Sequence, residues 1–124
     1  NDPTTTPEMN TFQMRGLAIF KHAARVIGPF LDQFFDTLGW ERGDLDVVVP
    51  HQASPFALAH MARQTGFAPE KLIDIAARYG NQIAASIPFA LDVARRERRV
   101  APGAKLLFLG TSAGVSFGGM ALEA

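Results

Sequence analysis

The first part of the chain carries a helical pattern of apolar residues. Between Met14 and Leu38 they recur at steps of three and four, which places one apolar stripe along a long helix. The Gly28-Pro29 pair interrupts this stripe and predicts a kink or a split, because proline removes a backbone donor and crowds the preceding turn. Gly39 fits the end of the helix. The stripe consists of Leu17, Phe20, Ala24, Ile27, Leu31, Phe34 and Leu38.

A buried strand and a second helix are predicted next. Residues 45–49 read LDVVV, a short run rich in β-branched residues that is typical of a buried strand. Pro50 ends this run, and His51 follows it directly. Ser54-Pro55 predicts a helix start, with the serine as N-cap and the proline at the first helical position. Gly66 is expected to close that helix.

The rest of the chain predicts one more helix and further strands. Residues 72–76 favour a short strand, although the alanines at its end also suit a helix. A helix should begin at residues 84–86, because Pro88 is tolerated only in the first turn. Residues 105–110 and 115–122 predict two final strands that pair antiparallel across a short loop. This order predicts an α/β fold with a mixed, mostly parallel sheet flanked by helices.

Composition narrows the class of protein. The chain has 124 residues, of which 48% are hydrophobic, and its 12 basic and 12 acidic residues cancel. A neutral total gives no support for nucleic-acid binding, and no apolar run approaches the roughly 20 residues that span a bilayer. The absence of cysteine excludes disulfides, thiolate metal sites and a cysteine nucleophile within the chain. We therefore expect a cytoplasmic protein without nucleic-acid, membrane or metal partners. Residues 1–13 are expected to be a linker or boundary before a domain at 14–124.

Polar and small residues lie in three loops at predicted strand ends, where ligands gather in open α/β sheets. These loops are residues 50–54, 79–82 and 110–114. His51 suits hydrogen-bond donation or proton transfer near neutral pH, and a purely structural capping role is equally compatible. The Asn81 amide can donate to a carbonyl oxygen, although a turn asparagine is the simpler interpretation. The small residues of the third loop would let a thioester chain approach the backbone, or would only form a tight hairpin.

Taken together, the loops resemble motifs of the β-ketoacyl-acyl-carrier-protein synthase III family. Residues 49–53 (VPHQA) resemble its histidine motif, and residues 79–88 (YGNQIAASIP) resemble its glycine-asparagine motif. The Ser112-Ala113-Gly114 segment is similar to the family's Gly-rich C-terminal loop. The resemblance extends in order over residues 14–122, which makes the combination specific.

The resemblance implies a thiolase-like fold of two similar halves, of which this chain is the C-terminal half. It also implies an acyltransferase that condenses an acyl thioester with a malonyl thioester by decarboxylative Claisen chemistry, as in fatty acid or polyketide initiation. His51 and Asn81 would be the catalytic residues that hold the malonyl carbonyl oxygen, and a cysteine outside this chain would carry the acyl group. Substrate binding is expected from Gln52, Ser54, Gly80, Ser112, Ala113 and Gly114.

The resemblance further implies which molecules the protein meets. No cofactor is expected besides the coenzyme A or pantetheine thioesters that serve as substrates. The expected partners are an acyl-carrier protein or coenzyme A thioesters, the N-terminal half of the same enzyme, and a second subunit of a homodimer. Four arginines within residues 95–99 suggest a contact with an acidic carrier or with phosphates, although a solvated helix end is the commoner explanation.

Departures from the family pattern leave alternatives open, among them the C-terminal loop, which reads Ser112-Ala113-Gly114 where the family has three glycines. Gln82-Ile83 replaces the small hydroxyl and alanine residues that are common after the asparagine, and Phe56 lies where many relatives have an arginine for the carrier protein. These departures concern the acyl group and the acceptor rather than the class of chemistry. The competing hypotheses are a non-catalytic thiolase-like partner and a domain that binds coenzyme A or pantetheine without catalysis.

Overall fold

A computed structural model describes residues 4, 6, 9, 15–112 and 115–124 of the chain. Apart from residues 72–79, its helices and strands follow the predicted order, and short 3-10 turns connect several of them. The helices are α1 (Gly16–Leu38), α2 (Pro55–Thr65), α3 (Ala76–Tyr79) and α4 (Ser86–Arg96), and the strands are β1 (Val47–Pro50), β2 (Lys105–Ser112) and β3 (Ser116–Glu123).

The strands form one mixed sheet in the order β1-β2-β3. β1 pairs parallel with β2, with Val47 opposite Leu106, and β2 pairs antiparallel with β3. A further parallel bridge joins Leu72 to Val48 on the other side of β1. The mixed sheet and the antiparallel final pair are as predicted from the sequence.

The strand predicted at residues 72–76 is wrong beyond that single bridge. The Gln52 side chain hydrogen-bonds the carbonyl of Ile73 and the N–H of Ile75, so these backbone groups pair with an amide instead of a strand. Residues 76–79 then form the short helix α3, which was the alternative interpretation of this segment.

Helices cover both faces of the sheet. Because successive side chains of a strand point to opposite faces, Val48 packs with α1 and α2 on one face, while Val47 and Val49 pack with α4 on the other. The sheet therefore lies between two helical layers, and the connecting loops lie at the ends of its strands.

Helix α1 is continuous, so the split predicted at Gly28-Pro29 is wrong. Pro29 and Arg25 are both exposed. Proline has no backbone N–H, so the Arg25 carbonyl has no hydrogen-bond donor within the helix. Because both residues are exposed, water can hydrogen-bond this carbonyl instead, and the helix tolerates the proline. The predicted stop at Gly39 is confirmed by its left-handed conformation, with φ of 72°.

A glycine in β3 has a packing role. A Cβ atom at Gly119 would lie 3.1 Å from the Phe34 ring and 3.3 Å from the Phe30 ring. Glycine therefore lets the aromatic residues of α1 approach the strand closely.

Among the helices of the described residues, none combines the length and apolarity that crossing a bilayer requires.

Candidate active site

His51 lies directly beyond β1, at the edge where β1 and β2 both end. Its backbone N–H donates to the Leu109 carbonyl of β2 at 2.7 Å, which extends the parallel pairing by one residue. The side chain is half-buried. The fully buried strand before it thus fixes the position from which the imidazole projects.

Two opposing effects act on the His51 imidazole. Burial lowers its pKa by disfavouring the charged ring, and a hydrogen bond with the backbone of Ile83 raises it by a smaller amount. The net result is a pKa below the usual histidine value. At neutral pH the ring is therefore neutral, which suits a hydrogen-bond donor more than a fixed cation.

Asn81 lies in a loop that begins with an unusual glycine. Gly80 has φ of 69° and ψ of −161°, a combination that is accessible essentially only to glycine. Its N–H donates to the Ala76 carbonyl and closes α3. The backbone conformation thus requires a glycine before Asn81. This requirement alone explains why glycine precedes asparagine, and no ligand contact by Gly80 is needed to explain it.

The Asn81 amide is oriented by the residues that follow it. Its oxygen Oδ1 accepts a hydrogen bond from the Ile83 N–H at 2.8 Å, and the buried Ser86 hydroxyl donates to the same oxygen at 3.5 Å. Within residues 15–112 and 115–124, the amide nitrogen Nδ2 has no hydrogen-bond partner, and the residue is exposed. This orientation leaves the two N–H donors of Asn81 available.

Ile83 connects the two candidate catalytic residues. Its backbone lies close enough to the His51 ring to raise the pKa of the ring, and its N–H donates to Asn81 Oδ1. Ile83 itself has φ of 54° and is 77% exposed, which is uncommon for a β-branched residue. Such strain persists where the surroundings require it and is concentrated at functional sites. Sequence reasoning singled out Ile83 only as a departure and gave no reason to expect this linking role. Ser86 was missed as a partner of Asn81.

Gln52 is placed in the protein interior. Its side chain has no accessible surface, and its Nε2 donates to the carbonyls of Pro50 and Ile73, each at 2.9 Å. Oε1 accepts from the Ile75 N–H at 2.9 Å. Both amide protons are thus used in holding the end of β1 to the segment before α3. Its contact with substrate stays a prediction, and the structure supports an indirect role.

The other predicted substrate-binding residues lie in different parts of the fold. Ser54 is the N-cap of α2 and accepts from the Ala57 N–H at 3.1 Å, which confirms the predicted helix start. Ser112 is exposed at the end of β2, opposite Ser116 of β3. Ala113 and Gly114 lie outside the described residues. Substrate contacts by Ser54, Gly80 and Ser112 stay predictions.

The arginines near residue 95 lie away from this edge. Helix α4 starts beside Asn81, and its 11 residues carry the chain about 15 Å along its axis. There the Arg99 guanidinium donates to the carbonyls of Glu70 and Leu72, and Arg96 pairs with Asp92 at 2.9 Å. This placement supports the structural explanation of the arginine run and not a contact with a group bound at His51.

An aromatic surface lies where the first turn of α2 faces α1. Phe56, in the first turn of α2, is 69% exposed, and its ring lies 5.7 Å from that of Phe20 on α1. Leu17, one turn earlier on α1, is also 69% exposed.

Among the residues that the structure describes, no group of three or more histidine and carboxylate side chains is arranged to hold a metal ion.

The arrangement of sheet, helices and strand-end loops is that of the C-terminal half of a thiolase-like fold. The solved 3-oxoacyl-(acyl carrier protein) synthase III from Pseudomonas aeruginosa superposes with a TM-score of 0.86 at 34% identity, over 96% of this chain and 38% of that one. The enzyme of the same name from Aquifex aeolicus superposes with a TM-score of 0.87 at 28% identity, over 96% of this chain and 39% of that one.

Sequence comparison identifies the family. Residues 35–124 match the family described as 3-oxoacyl-[acyl-carrier-protein] synthase III C terminal, and the chain belongs to it. A β-ketoacyl-[acyl-carrier-protein] synthase III from Erythrobacter litoralis is 36% identical over 116 residues, which cover 94% of this chain and 36% of that protein. One from Agrobacterium fabrum is 34% identical over 121 residues, covering 98% and 38%. The chain thus spans little more than a third of the length of these relatives.

Proposed function

We propose that this chain is the C-terminal catalytic part of an acyltransferase that condenses an acyl thioester with a malonyl thioester by decarboxylative Claisen chemistry. The observation that carries the proposal is that Ile83 lies beside both residues: its N–H donates to Asn81 Oδ1, and its backbone raises the pKa of the His51 ring. The family to which the chain belongs supports the same reaction class.

The chemistry follows from the donors that this edge presents. When the malonyl carboxylate leaves as carbon dioxide, the electron pair of the broken bond forms an enolate, and negative charge develops on the thioester oxygen. Neutral donors placed beforehand stabilise such an oxygen without competing for the substrate carboxylate. We assign this function to the free amide protons of Asn81 and to the single N–H of the neutral His51 ring, which turns from the Ile83 backbone to the thioester oxygen when the substrate binds. The enolate carbon then attacks the carbonyl of the acyl-cysteine thioester, so a carbon–carbon bond forms as the carbon–sulfur bond breaks and the cysteine thiolate leaves.

The nucleophile that holds the acyl group must lie in another part of the enzyme, because the sequence contains no cysteine. The exposed apolar residues of β3 support a partner surface for that part. Met120 is 57% exposed and Leu122 is 46% exposed, on the sheet face that α4 covers elsewhere. We propose that the N-terminal half of the same enzyme covers them, and that two complete subunits form a homodimer.

The proposed carriers of the thioesters are acyl-carrier protein or coenzyme A, in the cytoplasm. The surface formed by Leu17, Phe20 and Phe56 supports this, since it combines exposed apolar groups with the neighbouring cations Arg15 and Lys21. Apolar groups suit a pantetheine arm, and the cations suit its phosphate or an acidic protein.

The test separates the two steps in the complete enzyme. His51→Ala and Asn81→Ala should each lower malonyl decarboxylation by about 10²–10³-fold, as removal of an oxyanion donor does. Transfer of a labelled acyl group to the enzyme should continue, because it uses a nucleophile outside this chain. Normal carbon dioxide release from folded His51→Ala enzyme would refute the proposal.

A further inference from the structure

Gln82 lies between Asn81 and Ile83 but has no part in the chemistry proposed above. Its amide nitrogen Nε2 donates to the carbonyls of Tyr79 and Gly80, at 2.5 and 2.6 Å. Two carbonyl acceptors determine which end of the amide faces them, because an amide oxygen in that position would be repelled. Gln82 Oε1 is buried and has no hydrogen-bond partner within residues 15–112 and 115–124. The side chain is therefore held by its nitrogen.

The Gly80 carbonyl belongs to the peptide group that leads into Asn81. Because a peptide group is planar, a hydrogen bond to this carbonyl also restrains the Asn81 N–H and the direction of the chain at the Asn81 Cα. Restraint is needed here, since glycine has many accessible backbone states and Gly80 occupies a rare one. Gln82 thus restrains the backbone immediately before Asn81.

The residues after Asn81 supply a second restraint of a different kind. The Ile83 N–H and the Ser86 hydroxyl hold the Asn81 side-chain oxygen, whereas Gln82 holds the preceding peptide. An amide that is held at its oxygen but attached to a loosely held backbone would still change direction. Both restraints are therefore required to aim Asn81 Nδ2.

We propose that Gln82 is a positioning residue, which fixes the peptide entering Asn81 so that the Asn81 amide nitrogen stays directed at the malonyl thioester oxygen. The inference rests on the proposed function, because it assigns Gln82 a role through Asn81. It also gives a physical meaning to a residue that departs from the family pattern.

The experiment uses the complete enzyme with Gln82→Met and Gln82→Glu, both close in size to glutamine. Gln82→Met removes both donors, and malonyl decarboxylation should fall about 10- to 100-fold, as small misplacements of a catalytic group do. Loading of the labelled acyl group should stay within about twofold of the unchanged enzyme, because the acyl nucleophile lies elsewhere. Gln64→Met is the matched control, since Gln64 also donates to a backbone carbonyl, that of Ala24, but between α1 and α2. It should leave both steps unchanged.

Gln82→Glu adds a signature that a purely structural role would not produce. An ionised carboxylate faces two carbonyl oxygens and cannot donate, whereas the protonated acid regains one O–H donor. Relative to Gln82→Met, its decarboxylation rate should therefore recover as the pH is lowered from 7 to 5. Unchanged carbon dioxide release in both variants, or equal losses in loading and release, would overturn the inference.

Crystal structures distinguish a failure of this inference from a failure of the proposed function. In the Gln82→Met enzyme, the Gly80–Asn81 peptide should rotate and the Asn81 amide should change direction. An unchanged Asn81 would overturn the positioning role, whatever the assays show. Normal carbon dioxide release from His51→Ala would overturn the proposed function instead, and a rotated Asn81 would still support the geometric role of Gln82.

Discussion

The loops that carry His51 and Asn81 meet at the same edge of the sheet, but they are held in opposite ways. The His51 loop continues a fully buried strand, and Gln52 fastens it to two neighbouring backbone segments from the interior. The Asn81 loop is exposed, begins with a glycine-only conformation and contains an isoleucine at positive φ. Apart from the contact between Ile83 and the His51 ring, its hydrogen bonds come from its own neighbours in sequence.

This difference predicts that the hydrogen bonds of the His51 loop contribute mainly to the stability of the fold, and that those of the Asn81 loop mainly orient a catalytic group. The interior bonds of Gln52 connect segments that are 21 and 23 residues away, so they contribute to the fold as a whole. The bonds around Asn81 connect residues at most five positions apart, so they shape one loop. Substitutions in the first loop should therefore change the free energy of unfolding most, and substitutions in the second should change the orientation of one amide.

The largest effect on stability is expected for Gln52→Leu. The carbonyls of Pro50 and Ile73 and the Ile75 N–H would remain buried without partners, at about 1–3 kcal/mol each where they cannot reach water. We expect the free energy of unfolding to fall by about 3 kcal/mol or more, measured by urea denaturation of the complete enzyme. Gln33→Leu, on the exposed face of α1, should change it by less than about 0.5 kcal/mol. Similar values for the two variants would contradict the anchoring role.

Gly80→Ala should have the next largest effect, because a Cβ atom disfavours the ψ of −161° at this φ. Such backbone strain costs about 1–3 kcal/mol, and the loop can relieve it only by moving Asn81. We therefore expect both a loss in the free energy of unfolding and a slower malonyl decarboxylation. Gly39→Ala is the control, since Gly39 lies in the ordinary left-handed region at the end of α1. It should cost stability without slowing decarboxylation.

Ile83→Asn, in the Asn81 loop, should raise the free energy of unfolding, in contrast to the two substitutions above. Asparagine tolerates a positive φ better than a β-branched residue does, and Ile83 buries little that would be lost. The free energy of unfolding should rise by about 0.5–1 kcal/mol, and urea denaturation measures this. A clear loss of stability would show that the exposed isoleucine makes contacts beyond those of its backbone.

The smallest effect concerns pH. The folded-state pKa of His51 lies below its unfolded value, so the unfolded chain binds more protons as the solution becomes acidic. The resulting contribution to stability is fully present above the ordinary histidine pKa and is lost as the pH falls through the folded-state pKa. In His51→Asn, the unfolding midpoint should therefore decline less between pH 7.5 and 5 than in the unchanged enzyme. Parallel declines would show that burial of the ring is not coupled to folding.

Local pattern was sufficient to predict the main elements. The apolar stripe of α1, the β-branched run of β1 and the Ser54-Pro55 start of α2 all depend on residues a few positions apart. The stops at Gly39 and Gly66 follow from the conformational freedom of glycine, and both have φ near 70° in the structure, at 72° and 74°. His51 and Asn81 were singled out because each follows a predicted strand or loop signal, and the family resemblance supported them.

Long-range packing decided what the pattern left open. Residues 72–76 have strand-like composition, yet Gln52 occupies the backbone groups that a strand would pair, and no local signal identifies that partner. The same holds for Ile83, whose contact with His51 joins residues 32 positions apart in the numbering. Spacing along the chain determines helices and strands because their hydrogen bonds and faces repeat locally. Which side chains share an acceptor, or are buried entirely, depends on how those elements pack, and only the tertiary structure determines that.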